Sequence, residues 1–110
     1  MAINISELDI PSDVKEDISI IINSLVHKFS ANIYKVILFG SYAKRLYQPD
    51  SDIDLAIVLH ELPPLKERRN YKQIVDLERE VDLLFCTKNQ LNSQKLVYKQ
   101  INDQGVVIYE

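Results

Sequence analysis

The chain has 110 residues, 46% of them hydrophobic, and its 16 acidic and 13 basic residues give a formal net charge of −3. This size and composition predict one hydrophobic core and a single domain over residues 1–110, and they argue against disorder and fibrous repeats. The negative charge argues against broad binding to duplex nucleic acid, which needs a basic face, although a local basic pocket stays compatible with it.

The amino-terminal segment bears on where the protein resides. Residues Met1 to Ile10 include Asn4, Glu7 and Asp9 instead of the basic and apolar regions of a signal peptide. No stretch approaches the roughly 18 apolar residues of a membrane span. The one cysteine, Cys86, excludes an internal disulfide and a multi-cysteine zinc site. We therefore expect a cytoplasmic protein that is neither exported by a signal peptide nor membrane-spanning.

The first half of the chain alternates between helix and strand patterns. Apolar residues at helical spacing predict an amphipathic helix over Ser12 to Phe29. The run Tyr34 to Phe39 predicts a buried strand, and a tight turn and a short helix over Ser41 to Tyr47 follow it. Turn-forming residues at positions 48–51 then lead into a second apolar strand, Ile53 to Leu59.

The second half continues this alternation. Charged residues dominate Leu65 to Glu80, which predicts an exposed helix with a solvated face, and Val81 to Phe85 is a third strand. Capping-box spacing from Thr87, followed by an apolar stripe, predicts one helix that ends at Gly105 as its C′ glycine. Val106 to Tyr109 makes a last short strand. The resulting order, αβαβαβαβ, indicates a layered α/β or α+β domain.

The most informative residues follow the first strand. Gly40, one of only two glycines, suggests a backbone that turns sharply or lets a ligand approach closely. The hydroxyl of Ser41 and the first amides of the following helix can meet a phosphate. Ten residues later, Asp52 and Asp54 are predicted to project from one face, because side chains alternate along a strand. Two such charges repel by about 4 kcal/mol at an effective dielectric of 20, so Mg²⁺ or Mn²⁺ is the natural compensation.

A third carboxylate, Asp82, lies in the apolar run of the third predicted strand, where its neighbours predict burial. If that strand lies beside the second, Asp52, Asp54 and Asp82 could hold two divalent ions. Such a cluster activates an incoming hydroxyl and stabilises a leaving phosphate, which is most of what phosphoryl chemistry requires.

The signature G-S, ten residues, D-x-D is complete at Gly40, Ser41, Asp52 and Asp54, and it resembles the nucleotidyltransferase superfamily of the DNA polymerase β type. The element order and small size are similar to the minimal nucleotidyltransferases (MNT), and the resemblance covers nearly the whole chain. It implies the nucleotidyltransferase fold, a small mixed β-sheet with flanking helices.

Members of the MNT family act as antitoxins to helical HEPN ribonucleases. The resemblance implies Mg²⁺-dependent transfer of AMP from ATP to a tyrosine of such a toxin, with pyrophosphate leaving, within a hetero-oligomer of antitoxin and toxin. It also implies that Gly40 and Ser41 hold the triphosphate and that Asp52 and Asp54 hold the metals. Asp82 would complete the metal site and help activate the acceptor.

One departure from the family pattern bears on activity. The family commonly has Ala-Arg-Gly where this chain has Ala43-Lys44-Arg45. Lys44 and Arg45 remain candidate nucleotide-binding residues, but a lysine lacks the planar fork of arginine and Arg45 lacks the permissive backbone of glycine. An inactive module that neutralises its partner by contact is therefore one alternative. Transfer to a small molecule such as an aminoglycoside is another, for which 110 residues leave little room.

Each motif also has an ordinary structural interpretation. Gly40 and Ser41 can form a simple capped turn, and the Asp52 and Asp54 side chains can be solvated where a strand begins. Asp82 can be a charge that protects an edge strand from aggregation. Lys44 and Arg45 can be surface charges. The occurrence of the whole signature, Gly40, Ser41, Asp52 and Asp54, favours an active site over these ordinary roles.

Overall fold

The computed structural model describes residues 4–74, 77 and 79–110 of the chain. Short 3-10 turns over Ile5–Glu7 and Ser30–Asn32 flank the first helix. Within the described residues the helices and strands are α1 (Ser12–Phe29), β1 (Ile33–Phe39), α2 (Gly40–Lys44), β2 (Ile53–Leu59), α3 (Leu65–Ile74), β3 (Val81–Thr87), α4 (Lys88–Leu91), α5 (Leu96–Gln104) and β4 (Val106–Tyr109).

The four strands form one mixed sheet in the order β3-β2-β1-β4. Strand β1 pairs antiparallel with both β2 and β4, whereas β2 and β3 run parallel. In the parallel pair, Ile53 lies opposite Val81 and Leu59 lies opposite Thr87. The mixed sheet with flanking helices that the family resemblance implies is therefore confirmed, and the third strand does lie beside the second.

Helix α1 covers one face of the sheet because its apolar residues recur at helical spacing. Its buried side chains are Val14, Ile18, Ile21, Ile22, Leu25 and Phe29. They join one hydrophobic cluster with the alternate residues of β2, which are Ile53, Leu55, Ile57 and Leu59. Strand β2 is buried on both faces, which explains its continuous apolar run.

Helices α4 and α5 cover the opposite face. A second cluster there contains Ile37, Ala56, Val58, Cys86, Leu91 and Ile101. Since Asp54 shares the side of β2 with Ala56 and Val58, its carboxylate belongs to this face. Burial raises the pKa of the Cys86 thiol to about 11, in line with a small packing residue instead of a nucleophile.

The prediction of one helix after Thr87 is wrong, because residues 92–95 separate α4 from α5. The predicted capping box at Thr87 is present, but it caps the short α4. The break lets Leu91 and Ile101 both enter the core, at 2% and 1% exposure. The Asn102 side-chain amide donates to the Leu91 carbonyl at 2.8 Å and ties the two helices together.

Gly105 ends α5, although not as the left-handed C′ glycine that the sequence predicts. Its φ is −75°, an angle that any residue adopts. A Cβ at this position would collide with the Ile101 carbonyl oxygen and the Ile37 side chain. Close packing of the helix end on β1 is therefore the reason for glycine here.

Two other predicted helices have different bounds. The short helix begins at Gly40 and ends at Lys44, before the predicted end at Tyr47. The exposed helix ends at Ile74; of its predicted extension to Glu80, residues 75, 76 and 78 lie outside the described residues, and residues 77, 79 and 80 are not helical. None of the helices within the described ranges combines the length and apolar character needed to cross a bilayer.

Candidate active site

The turn between β1 and α2 packs directly against a strand carboxylate. Gly40 has a φ of +76°, in the region that favours glycine. A Cβ on Gly40 would collide with Oδ2 of Asp54 and would lie 2.9 Å from its Cγ and 3.2 Å from its Cβ. Gly40 is thus required both by its backbone conformation and by the close approach of Asp54.

Asp54 and Asp82 are direct partners in the parallel pairing of β2 and β3, so their side chains share one face of the sheet. The pKa of the half-buried Asp54 carboxyl is raised from 3.8 to about 6. Burial is the largest cause, followed by the charge of Asp82, a hydrogen bond with Asp82 and the charge of Asp52. The three carboxylates therefore interact electrostatically, and binding of either a proton or a cation relieves their repulsion.

Asp52 and Asp82 lie at the solvent side of this cluster. Asp52 precedes β2 by one residue, as the predicted bounds of this strand imply, so it lies at the entrance of the strand. The predicted burial of Asp82 is wrong: its side chain is exposed, because β3 is an edge strand and Asp82 is near its beginning. The Ile53 amide donates to the Glu80 carbonyl at 3.0 Å, which holds the beginnings of β2 and β3 together.

The cluster has the residue types of a divalent-cation site. Carboxylate oxygens are the ligands that Mg²⁺ and Mn²⁺ prefer. Burial, together with the charges of Asp82 and Asp52, raises the pKa of Asp54, and a bound cation would stabilise its charged form. Among the described residues, no three acidic, histidine or cysteine side chains are already arranged as a metal site. The chemical fit therefore depends on the paired Asp54 and Asp82, with Asp52 exposed next to the strand.

Helix α2 separates the remaining candidates into two groups. No side chain of the described residues caps its N-terminus, so its first amide groups lack a side-chain acceptor, and Ser41 is partly exposed there. Lys44 is exposed at the opposite end of the helix. Arg45 follows with a left-handed φ of +61°, and its guanidinium lies 3.8 Å from the Asp9 carboxylate. The arginine that replaces the family glycine thus has the backbone conformation that glycine favours.

Arg79 is the residue that the sequence analysis missed. The charged segment Leu65 to Glu80 was interpreted as a solvated helix face, but the Arg79 side chain is only 15% exposed and donates to four acceptors. Two of the acceptors, Asp13 and Asp17, are one helical turn apart on α1. That spacing is a signal for a shared partner, but about 60 residues separate it from Arg79, so only the fold reveals the pairing.

Comparison with known proteins identifies the domain family of the chain. A family model described as the nucleotidyltransferase domain matches residues 18–108. Two proteins of Methanocaldococcus jannaschii, MJ0604 and MJ0141, have names that propose protein adenylyltransferase activity. MJ0604 is 49% identical, with 80% of this chain and 90% of that protein covered. MJ0141 is 37% identical, and the chain spans 61% of its length, less than two thirds, with 61% of this chain covered.

Solved structures show the same fold. A chain of a toxin–antitoxin complex with AMP-PNP superposes with a TM-score of 0.59 at 27% identity, covering 78% of this chain and 68% of that chain. A complex of tri-AMPylated Shewanella oneidensis HEPN toxin with MNT antitoxin gives a TM-score of 0.55 at 22% identity, covering 83% and 66%, and supports the fold alone. Fold and site together define the nucleotidyltransferase class. Within that class, the chain belongs to the minimal nucleotidyltransferase family.

Proposed function

We propose that this protein transfers AMP from ATP to a hydroxyl group of a partner protein and thereby acts as an antitoxin. The acceptor we propose is a tyrosine of a HEPN-type toxin, bound in a hetero-oligomer. The observation that carries the reaction type is the contact of the Gly40 turn with Asp54, which itself pairs with Asp82. The names of the M. jannaschii relatives and the toxin–antitoxin complexes support the class of acceptor.

Gly40 and Ser41 would bind the triphosphate. The amide groups at the N-terminus of α2 lack a side-chain acceptor, and the close approach of Asp54 brings the cation-binding carboxylate next to them. Lys44 would contact phosphate as a point charge from the other end of the helix. Arg45 would first have to leave Asp9, which is a small cost because both side chains are more than two-thirds exposed, at 72% and 77%.

The reaction exchanges one P–O bond for another. The acceptor oxygen attacks the α-phosphorus and forms a new O–P bond, while the bond from that phosphorus to the oxygen bridging to the β-phosphate breaks. Pyrophosphate leaves with the electron pair. Asp82 would take the hydroxyl proton and release it to solvent. Asp82 is exposed at the edge of the sheet, so it can exchange that proton with solvent.

Asp52, Asp54 and Asp82 would hold one or two Mg²⁺ ions, with Mn²⁺ as a substitute. A bound divalent cation neutralises charge on the phosphates and makes the attacking hydroxyl more acidic. The carboxylates themselves would fix the position of the reacting groups: Asp54 lies between Gly40, which directly follows β1, and Asp82, its partner in β3.

The bond that breaks can be identified with ATP analogues. We would incubate the protein, Mg²⁺ and a HEPN protein from the same genome with ATP, with a β,γ-imido analogue or with an α,β-methylene analogue. Transfer of AMP requires only the α–β bond to break, so the first two donors should modify the partner and the third should bind without reacting. Transfer of a γ-phosphoryl group, or reaction with no donor, would contradict the proposal.

Two variants provide the controls. Asp54→Asn should abolish transfer, because it removes a charge at the centre of the cluster. Asp50→Asn changes an exposed carboxylate of the preceding turn and should leave transfer unchanged. If the wild type forms the complex and neutralises the toxin without modifying it, the alternative of an antitoxin that acts by contact alone is correct. Modification of an aminoglycoside instead of the protein would support the small-molecule alternative.

A further inference from the structure

Arg79 connects the segment before β3 to helix α1. Its Nη2 donates to Asp13 Oδ2 at 2.7 Å, and its Nε donates to Asp17 Oδ2 at 3.3 Å. The hydrogen bond to Asp17 and the charges of Tyr42, Asp13 and Asp17 raise the pKa of Arg79 despite its burial, so the guanidinium stays charged. This side of the contact is an anchor, because α1 is fixed by its six buried apolar residues.

The third nitrogen of Arg79 reaches toward the active-site turn. Its Nη1 donates to the Tyr42 hydroxyl at 3.1 Å and to the Pro49 carbonyl at 3.3 Å. Tyr42 is the third residue of α2, is only 2% exposed, and stacks on Tyr47 with ring centroids 4.8 Å apart. Pro49 is in the turn that leads to Asp52. One side chain thus holds α2 and the turn at Pro49, the two segments that connect Gly40 to Asp52.

Arg79 also has a fixed relation to the carboxylates. It precedes Asp82 by three residues, and Pro49 precedes Asp52 by three residues. The residues that follow Asp52 and Arg79 are also joined directly: the Ile53 amide donates to the Glu80 carbonyl at 3.0 Å. A displacement of Arg79 would therefore be transmitted to α2 and to the beginnings of β2 and β3.

We propose that Arg79 is a positioning residue of the active site, which holds α2 and the 46–52 turn against α1 so that Ser41 and Asp52 keep their relation to Asp54. The role in catalysis rests on the proposed function, whereas the role in holding the turn does not. Holding the turn requires an arginine, because three separate nitrogens donate to four acceptors in two directions. The single ammonium group of lysine cannot reach all of them.

Three variants separate positioning from stability. Arg79→Lys keeps the positive charge but removes the planar guanidinium group that donates in two directions. Tyr42→Phe removes the contact to α2 and leaves Arg79 in place. Glu16→Gln removes the charge of an exposed α1 carboxylate that is not one of the four acceptors of Arg79, and it is the matched control. All would be compared at a temperature at which every variant is fully folded.

The first readout is amide hydrogen exchange of residues 40–52 in the protein without nucleotide. Arg79→Lys and Tyr42→Phe should accelerate exchange in this segment, and Glu16→Gln should leave it at the wild-type rate. The second readout is transfer kinetics. Arg79→Lys should lower kcat/KM by about tenfold or more, since small displacements of reacting groups are costly, and it should raise the KM for ATP. The Glu16→Gln variant should keep wild-type values for both.

The two readouts fail independently. Unchanged exchange and unchanged kinetics in the folded Arg79→Lys protein would overturn the positioning role and leave Arg79 as a stabilising contact. If the wild type transfers no AMP, the proposed function fails, but the exchange rates of residues 40–52 still decide whether Arg79 holds the turn. If Arg79→Lys does not fold, the Tyr42→Phe variant decides the same question through its α2 contact.

Discussion

Replacing Gly40 by alanine tests, for a single residue, the contact between the turn and Asp54. A left-handed backbone costs a residue with a Cβ about 1–2 kcal/mol, and the new methyl group would also collide with the Asp54 carboxylate. We expect Gly40→Ala to lower the free energy of unfolding by about 2–4 kcal/mol. Chemical denaturation of both proteins measures the difference.

A double-mutant cycle separates the two costs. Asp54→Ala removes Cγ and Oδ2, the nearest atoms, and keeps a Cβ 3.2 Å from the new methyl group. Gly40→Ala should therefore cost at least about 1 kcal/mol less in the Asp54→Ala background than in the wild type. Strictly additive effects would show that the collision does not exist and that only the backbone conformation matters.

Arg45 offers the opposite experiment, because its left-handed backbone is strained. We expect Arg45→Gly to raise the free energy of unfolding by about 0.5–1 kcal/mol, the relief of strain less the greater flexibility of glycine when unfolded. The exposed pair with Asp9, at 3.8 Å, contributes little. Lys44→Gly, one residue earlier and helical, is the control and should lower stability by about 1 kcal/mol. A loss of stability in Arg45→Gly would contradict this assignment.

The raised pKa of Asp54 predicts a pH dependence of stability. Because the folded pKa, about 6, exceeds the unfolded value of 3.8, the folded state binds the proton more tightly. This stabilisation is complete below pH 4 and is lost as the pH rises through about 6. In metal-free buffer the wild type should lose about 1–2 kcal/mol relative to Asp54→Asn between pH 4 and pH 7. If the free energies of unfolding of the two proteins change in parallel between pH 4 and pH 7, the raised pKa of Asp54 is refuted.

Residues near the site differ in how far the sequence predicts them. Gly40, Ser41, Asp52 and Asp54 form one local signature, so spacing alone brings out their relation. The burial of Asp82 was mispredicted because apolar neighbours along a strand do not reveal that the strand is at the sheet edge. Arg79 was missed because its acceptors are distant in sequence, and no local pattern distinguishes it from other charged residues of its segment.

Among the elements, the capping box between β3 and α4 has a testable contribution. The Thr87 hydroxyl accepts from the Gln90 amide at 3.2 Å, and the Gln90 side chain accepts from the Thr87 amide at 2.9 Å. We expect Thr87→Ala to lower the free energy of unfolding by about 1 kcal/mol. Thr87→Ser keeps the hydroxyl and should therefore lose much less stability. Equal losses in both variants would show that the methyl group, and not the hydroxyl, matters.

Elements with one dominant cause were predicted well. The strands Ile53–Leu59 and Val106–Tyr109 have the predicted bounds, because short apolar runs between turn residues leave few alternatives. The break between α4 and α5 was not predicted. Residues 92–95 are polar and carry no apolar anchor, so nothing local distinguishes a helix there from a turn. What decides is the packing of Leu91 and Ile101 on the sheet.

At the scale of the whole molecule, the strand order was the missing information. The carboxylate cluster depends on β3 lying beside β2, and the alternation of helix and strand patterns in the sequence cannot decide such an adjacency. The parallel pairing that puts Asp54 opposite Asp82 comes from burying both faces of β2 between α1 and the α4–α5 pair. The same arrangement leaves the exposed carboxylates accessible to a large acceptor.

The most direct test of AMP transfer to a protein is the intact mass of the HEPN partner after incubation with this protein, ATP and Mg²⁺. An Asp52→Asn, Asp54→Asn double variant serves as the control, with complex formation checked for both proteins. We predict a gain of one or more AMP masses with the wild type alone, and peptide mapping should locate the modification on tyrosine. An unchanged partner mass within an intact complex would contradict the account and leave neutralisation by contact.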